Sequence, residues 1–396
     1  MILNFRGSQH FRQRLVCSTL SGKSICIRDI RAKEQDPGVR DYEASLLRLL
    51  EKITNGCVVE INETGTTLRY SPGIVTGGSG YTHDCGRSRS IGFFLEPLVC
   101  IALFAKKPLS ITLRGITNAA ADPSVDVWRT VTLPLLRQAT GLSEGFELKI
   151  IKRGAEPLGG GEVQLSCPVA KQLPPINMTQ EGESLILGSS SSCLAAACGA
   201  LPTFCKLAFI SCSGAVRRIR GVSHSMRVSP QSSNRMVDGA RSVLNDLLAD
   251  VYIFTDHMTG PEAGQSPGYG LMLVAETTTG CLNSAECTAN AALKGEAAMV
   301  PEEVGRKAAH MLLEEIHRGG VTDGTHQGLL LLLCALGPEE INEVRLGPLT
   351  PYSVRTLRHL KDFFAVTFSI KPEAESQTLF LKCIGTGHKN MSKRVT

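Results

Sequence analysis

The sequence predicts an α/β fold: a large domain of three repeated α/β units, with a smaller α/β domain inserted between the second and third. Three observations carry that expectation. Residues 1–180 hold two similar blocks, each with helical periodicity and a closing strand hairpin. A comparable set returns over 293–396. Between them, 216–292 read β-α-β-β in a different order, as a separate small domain would. A chain of 396 residues is long enough for two cores.

The elements follow in order. "SICIRDIRA" alternates apolar and polar residues, as a half-buried strand does. After Pro37-Gly38, Leu46, Leu47, Leu49, Leu50 and Ile53 recur at helical spacing, and Asn55-Gly56 stops the helix. "CVVEINETGTTLRYSPG" reads as a hairpin turning near Thr64-Gly65. A helix over Ile91–Leu103, the strand "LSITLRGI", a helix over Val125–Gln138 and the strands "FELKIIKRG" and "GEVQLSCPV" complete the second block. In the smaller domain come the basic strand "VRRIRGVSHSMRVSP", a helix over Ser232–Leu248, and the strands "DVYIFTD" and "YGLMLVAETTTG". The last block is read as the helices "PEEVGRKAAHMLLEEIHRGG", "QGLLLLLCALG" and "TPYSVRTLRHLKDFF" with the strands "VTFSI" and "TLFLKCIG". Residues 181–215 form an atypical stretch. It carries a serine run and four cysteines but few periodic signals, and poor order is expected there.

Composition narrows the partners. Net charge is +5, which permits an RNA or phosphate partner without requiring one. The 14 cysteines are irregularly spaced and form no CxxC, so a reduced, intracellular chain is expected. The basic start "MILNFRGSQHFRQRLV" lacks the apolar run of a secretory leader. The longest apolar stretch, over 193–210, is interrupted by Gly199, Pro202 and Lys206 and is not read as a membrane span. Neither a membrane nor a DNA partner is expected. His83-Asp84-Cys85 are adjacent, and three neighbouring side chains do not readily face one ion, so no metal is assigned.

Some segments invite a reading as sites. "RGAEPLGGGEV" over 153–163 has the glycines of a phosphate cradle. A phosphate loop needs a strand before it, a helix after it and a Gly-Lys-Ser/Thr ending. Here strands stand on both sides, so the glycines read as a tight strand-to-strand link with Arg153 as an anion contact. Arg217, Arg218 and Arg220 form a dense basic patch, either a solvated strand face or a contact for phosphate or an acidic partner. Arg355, Arg358 and Asp362 share one helical face near His359 and Lys361. The plain reading of that helix is amphipathic, with Leu357, Leu360 and Phe364 inward. The functional reading is RNA or partner contact through Arg355, Arg358 and Lys361. The tail "GHKNMSKRV" is basic and is expected to be mobile.

Together these segments resemble the RNA 3'-terminal phosphate cyclase family. "RGAEPLGGGEV" fits the family signature, "STLSGKSICIRDIRAKEQDPGVRDYEASLLRLL" its N-terminal strand and helix, and "RGITNAAADPSVD" the segment before its second helix. The likeness spans nearly the whole chain outside Glu183–Ala215. "FRQRLVCSTLSG", "ITNGCVVEINETGTTLRY", "RIRGVSHSMRVSP", "YIFTDHMTG" and "LGPLTPYSVRTLRHLK" look like one branch, the cyclase-like proteins of the eukaryotic nucleolus. The resemblance implies the same architecture of three repeats and an insert.

The family's enzymes use ATP and a histidine nucleophile, and the sequence departs from them in three places. The nucleophile's position falls near Tyr352, and no histidine lies between His326 and His359. A phenol is mostly protonated at neutral pH and is a poor substitute. The glycine-rich N-terminal loop is here "NFRGSQHFR": Gln9 and Arg12 remain, but the acidic residue is replaced near Phe5 and most glycines are gone. His326-Gln327 stand where the enzymes have an acidic residue before the glutamine. Gln9, Arg12, His326 and Gln327 are therefore read as remnants of a nucleotide site, with no cofactor and no cyclase activity expected.

The nucleolar branch implies a nuclear, nucleolar role in making the small ribosomal subunit. It implies membership of the small-subunit processome, binding to a ribosome-assembly GTPase, and a need in the early pre-rRNA cleavages that lead to 18S rRNA. The competing reading is an active RNA-processing enzyme, either a pre-rRNA endonuclease or an ATP-dependent cyclase. Metal-free RNA cleavage needs a base, an acid and a cation around the phosphate, and the helix carrying Arg355 to Asp362 holds such groups.

Overall fold

The computed structural model describes residues 2–179, 210–211, 214–289, 299–374 and 376–390. Three four-stranded sheets repeat one topology. In the first unit, β1 (Ile2–Arg6), α1 (Phe11–Ser21), β2 (Ser24–Arg28), α2 (Asp41–Ile53), β4 (Val58–Ile61) and β5 (Leu68–Ser71) give the order β1-β2-β5-β4. A two-stranded ribbon of β3 (Thr54–Asn55) and β6 (Ile74–Val75) lies beside it. The second unit has β7 (Gly78–Asp84), α3 (Ile91–Ala102), β8 (Leu109–Gly115) and α4 (Val125–Val127). A π turn over Trp128–Thr132 leads into α5 (Leu133–Thr140), then β9 (Glu147–Lys152) and β10 (Gly161–Cys167), in the order β7-β8-β10-β9. The third sheet runs β11-β17-β19-β18, from β11 (Asn177–Met178), β17 (Ile341–Leu346), β18 (Ser369–Glu373) and β19 (Thr378–Ile384). In each sheet the first two strands are parallel and the last two form an antiparallel hairpin.

The third sheet takes its first strand from ahead of the insertion. The smaller unit thus enters just after β11, and the chain returns through α8 (Gln327–Leu336) to β17 and α9 (Pro351–Phe364). The smaller unit holds β12 (Ile210–Ser211), β13 (Gly214–Met226), α6 (Gln231–Leu244), β14 (Val251–Met258), β15 (Gly268–Thr277), β16 (Leu282–Thr288) and α7 (Pro301–Arg318).

The helix α7 departs from the sequence reading, which grouped it with the last block. Its Val304, Ala308, Leu312 and Ile316 share one core with Met236 and Ala240 of α6 and with Ile219, Ile253 and Leu273 of the smaller sheet. Gly305 makes this possible: a Cβ there would stand 2.1 Å from the Met236 carbonyl oxygen. Periodicity identifies an apolar face but not the sheet that receives it.

The three repeats share a single core. Leu15, Leu50, Phe94, Leu136, Leu330 and Leu360 all belong to it. A smaller apolar seam joins the units, where Val127 and Val131 meet Val222, Met272 and Val274. Among the described residues no helix is long and apolar enough to cross a membrane, no cluster of three metal-ligating side chains occurs, and ten cysteines are free thiols. The atypical 181–215 stretch lies outside the described residues except at 210–211 and 214–215. The start of the basic tail departs from expectation. Asn390 donates to the carbonyls of Ala105 and Ala170, and His388 packs edge-on against Phe104, so the tail is pinned there.

Candidate functional site

A cleft of about 370 Å³ opens where helices of the three repeats converge. Arg12 comes from α1, Glu96 from α3, Trp128 and Thr132 from the π turn, His326 from the N-terminus of α8, and Tyr352 from the first turn of α9. A second hollow of about 450 Å³ shares Pro123, Glu315, Arg318 and Thr325 with it and continues to Glu286 of the smaller unit.

One wall is a closed polar group. Arg12 ion-pairs with Glu96, donates from Nη1 to the Phe93 carbonyl at 3.0 Å, and lies 4.7 Å from the Phe93 ring centre. The Tyr352 hydroxyl donates to the other oxygen of Glu96. Burial opposes the charge on Arg12, but Glu96 and then Tyr352 outweigh it and its pKa is raised. Burial and then Glu96 push the Tyr352 phenol well above its ordinary value. At the position read for the lost nucleophile, the side chain is thus a fixed proton donor. No nucleophilic anion is held there.

Imidazoles lie near this position, and the sequence reading did not foresee how each is held. His10, in a left-handed conformation with φ 56° ahead of α1, sets its ring 5.7 Å from that of Tyr352 and 6.0 Å from that of His359. Burial first, and then Arg355 and Arg14, lower its pKa. His359 is buried and donates from Nδ1 to Gln13 Oε1 at 2.7 Å. Burial, Arg14, His10 and Arg355 take it down to about 3, so it is a neutral packing group. Phe5, near the place of the family's acidic residue, stacks on Phe363 at 5.5 Å and lies under the Arg14 guanidinium.

The remnant positions divide. Arg12 and His326 line the cleft, whereas Gln9 and Gln327 do not. Gln9 is exposed. Gln327 turns into the loop ahead of α9, donating to the Pro348 carbonyl and accepting from Thr350 N–H at 3.1 Å and Ser353 Oγ at 2.9 Å. His326 is 3% exposed and bridges Asp323 Oδ1 at 2.6 Å and Thr132 Oγ1 at 2.8 Å. Burial disfavours its charge, yet Asp323 overcomes this and raises its pKa. Asp323 also holds the backbone and hydroxyl of Ser284, tying the third repeat to the smaller sheet. Glu286, half-buried nearby, accepts from Ser124 N–H at 2.9 Å, and its pKa is raised to about 7 by desolvation. Trp128 is buried in the cleft wall with its indole N–H unpartnered among the described residues.

Arg153 requires a correction. It is fully buried and cannot meet an anion from solution. Its Nη1 and Nη2 grip Asp126 at 2.7 and 2.8 Å, and its Nε donates to Asp256 Oδ2 of the smaller unit at 2.8 Å. The glycine signature around it links β9 to β10, as its flanking strands imply. It is also the dock for the insert. Gln265 N–H donates to the Gly159 carbonyl at 3.0 Å, and a Cβ on Gly160 would stand 3.3 Å from Gln265.

The remaining arginines are on the surface. Arg218 pairs with Glu276 and Arg220 with Asp250, both at 2.7 Å, while Arg217 is exposed. Arg355, Arg358, Lys361 and Asp362 are exposed on α9, with Leu360 and Phe363 turned inward. Sequence reasoning missed Glu96, Trp128, His10 and Asp323. Of these, only the Asp323–His326 spacing of three residues held a local signal.

A family model described as RNA 3'-terminal phosphate cyclase matches residues 3–370. An "RNA 3'-terminal phosphate cyclase-like protein" from Homo sapiens is 49% identical over 397 residues, covering 99% of this chain and 97% of that protein. A "Probable RNA 3'-terminal phosphate cyclase-like protein" from Dictyostelium discoideum is 47% identical over 401 residues, 99% of each. An "rRNA processing protein rcl1" from Schizosaccharomyces pombe is 42% identical over 394 residues, 99% of this chain and 98% of that one.

Proposed function

We propose a function from one premise: the chain belongs to the RNA 3'-terminal phosphate cyclase family. The reading is a ribosome biogenesis factor that works in rRNA processing without cyclising RNA ends. Support for the process comes from the fission-yeast relative named for rRNA processing, which aligns end to end. The finer reading is a nucleolar member of the small-subunit processome. It binds pre-rRNA and a ribosome-assembly GTPase and is needed for the early cleavages leading to 18S rRNA.

The observation that carries the non-cyclising part is the closed Arg12–Glu96–Tyr352 group. Adenylyl transfer needs a nucleophile able to attack the α-phosphate of ATP. The cleft offers a phenol held protonated by a carboxylate, and that carboxylate also holds Arg12. Glu96 thus opposes a polyphosphate where the transfer would run. The test is incubation with α-labelled ATP. No covalent adenylate is expected, and a labelled protein band would overturn the reading. For the process, depletion in cells should accumulate uncleaved 18S precursor; normal 18S maturation would sink it.

A second reading, RNA cleavage by the protein itself, draws on the exposed Arg355, Arg358 and Lys361 of α9, of which Arg355 stands close enough to His10 to help lower its pKa and keep the imidazole neutral. Cleavage by purified protein that persists in Arg358→Ala and Lys361→Ala would remove that helix from the mechanism.

A further inference from the structure

The smaller unit presents a face that the proposed function leaves unused. Among the described residues β14 pairs only with β13, so it is an edge strand. Its side chains alternate. Val251 and Ile253 enter the core beneath α6 and α7. Tyr252 and Phe254 point to the opposite face and stay 58% and 55% exposed. Part of that face is covered, where Val222, Met272 and Val274 meet Val127 and Val131 of the large body. The two rings stand outside this cover.

Two large aromatics exposed side by side on a strand are unusual, because burying each would be favourable. Residues i and i+2 of a strand lie roughly 6.6 Å apart on one face. That separation admits one base per ring from an extended single strand. The neighbours are cations. Arg220 stands directly beside Tyr252 in the parallel register, Arg218 is two residues back on the same face, and Arg217 is exposed at a bulge. These three arginines face two carboxylates, Asp250 and Glu276, which leaves a positive surplus. A protein-docking patch has an apolar centre. Here the ring of Tyr252 has Arg220 beside it in register, and only Phe254 has an apolar register neighbour, Val222.

We propose that the sheet face carrying Tyr252 and Phe254 binds single-stranded RNA, stacking successive bases on the two rings with Arg217, Arg218 and Arg220 along the phosphates. Stacking is tolerant of base identity, so little sequence preference is expected. Duplex RNA hides its base faces and should bind poorly. The proposal rests on the rRNA-processing reading only for which RNA is met in the cell.

The test uses the full chain and fluorescein-labelled oligouridylate and oligoadenylate of about a dozen nucleotides, a length within the usual single-strand site sizes. Tyr252→Leu and Phe254→Leu should each weaken binding about tenfold or more, whereas Tyr252→Phe and Phe254→Tyr should bind as the parent does. Arg220→Ala should flatten the salt dependence by roughly 0.7 in the log–log slope. Both aromatic side chains are exposed, so an unchanged melting temperature checks that the variants are folded. Parent-like RNA binding by the Tyr252→Leu, Phe254→Leu double variant would overturn the proposal. So would equal affinity for a duplex. If the double variant loses a protein partner while keeping RNA affinity, the face belongs to that partner and the proposal fails. The binding assay contains no nuclear component, so its outcome is separate from that of the 18S maturation experiment.

Discussion

The guanidinium of Arg153 has no exposed surface and lies between two carboxylates, Asp126 and Asp256. Burial penalises its charge, but Asp126 and Asp256 together raise its pKa. Removing one partner of such a pair leaves the other charge buried and uncompensated. Arg153→Ala should therefore cost about 3–5 kcal/mol, measured by denaturant unfolding. A loss below about 1 kcal/mol would mean that Asp126 finds another partner. His326 gives a pH prediction. Its folded pKa is raised above 6.5, so its stabilisation is complete below that value and fades as pH climbs through the folded pKa. Asp323 has the opposite sign: its pKa is lowered, and its contribution fades as pH falls through the folded value. The melting temperature should thus decline above pH 6.5 more steeply than in His326→Gln; parallel curves would refute the assignment. These roles were only partly legible. Residue type marked Arg153 and His326 as notable, but not whether each faced solvent or a carboxylate. That depends on Asp126, Asp256 and Thr132, which are remote in sequence.

Among the elements, the glycine signature behaves as a hairpin link and a docking seam. Gly161 opens β10, and a Cβ there would lie 2.5 Å from Thr117 Cγ2 and 2.9 Å from the Gly115 carbonyl oxygen. Both neighbours belong to well-packed structure, so Gly161→Ala should destabilise by about 1–3 kcal/mol. Calorimetry that finds no change would show that the strand can shift. The strand–link–strand reading came directly from "FELKIIK" and "EVQLSCP" on either side. Helix α1 was illegible by the same means. Gln13, Arg14, Ser18 and Thr19 are buried along with Leu15 and Val16, so no polar face marks its period. Two of these polar side chains find distant partners, Gln13 at His359 and Thr19 at Tyr70. Helix α7 was legible as a helix but not as part of the smaller unit, because its apolar face fits either sheet by pattern alone.

At the scale of the whole molecule, three repeats bring α1, α3, α8 and α9 to one cleft. Restoring one residue should not restore the family's chemistry. Tyr352→His should give no adenylate with labelled ATP, because Arg12 and Glu96 would remain paired across the wall. A labelled band from that variant would show that the imidazole alone was missing. The sequence by itself determined the α/β class, most helices and strands, and that no histidine lies between His326 and His359. Those depend on local periodicity, turn residues and residue identity. Only the tertiary structure decided that Glu96 holds both Arg12 and Tyr352, that Arg153 is sealed between two units, and that Tyr252 and Phe254 share an open face. Each of these depends on which surfaces meet after folding, and residues far apart in the chain carry no local trace of that meeting.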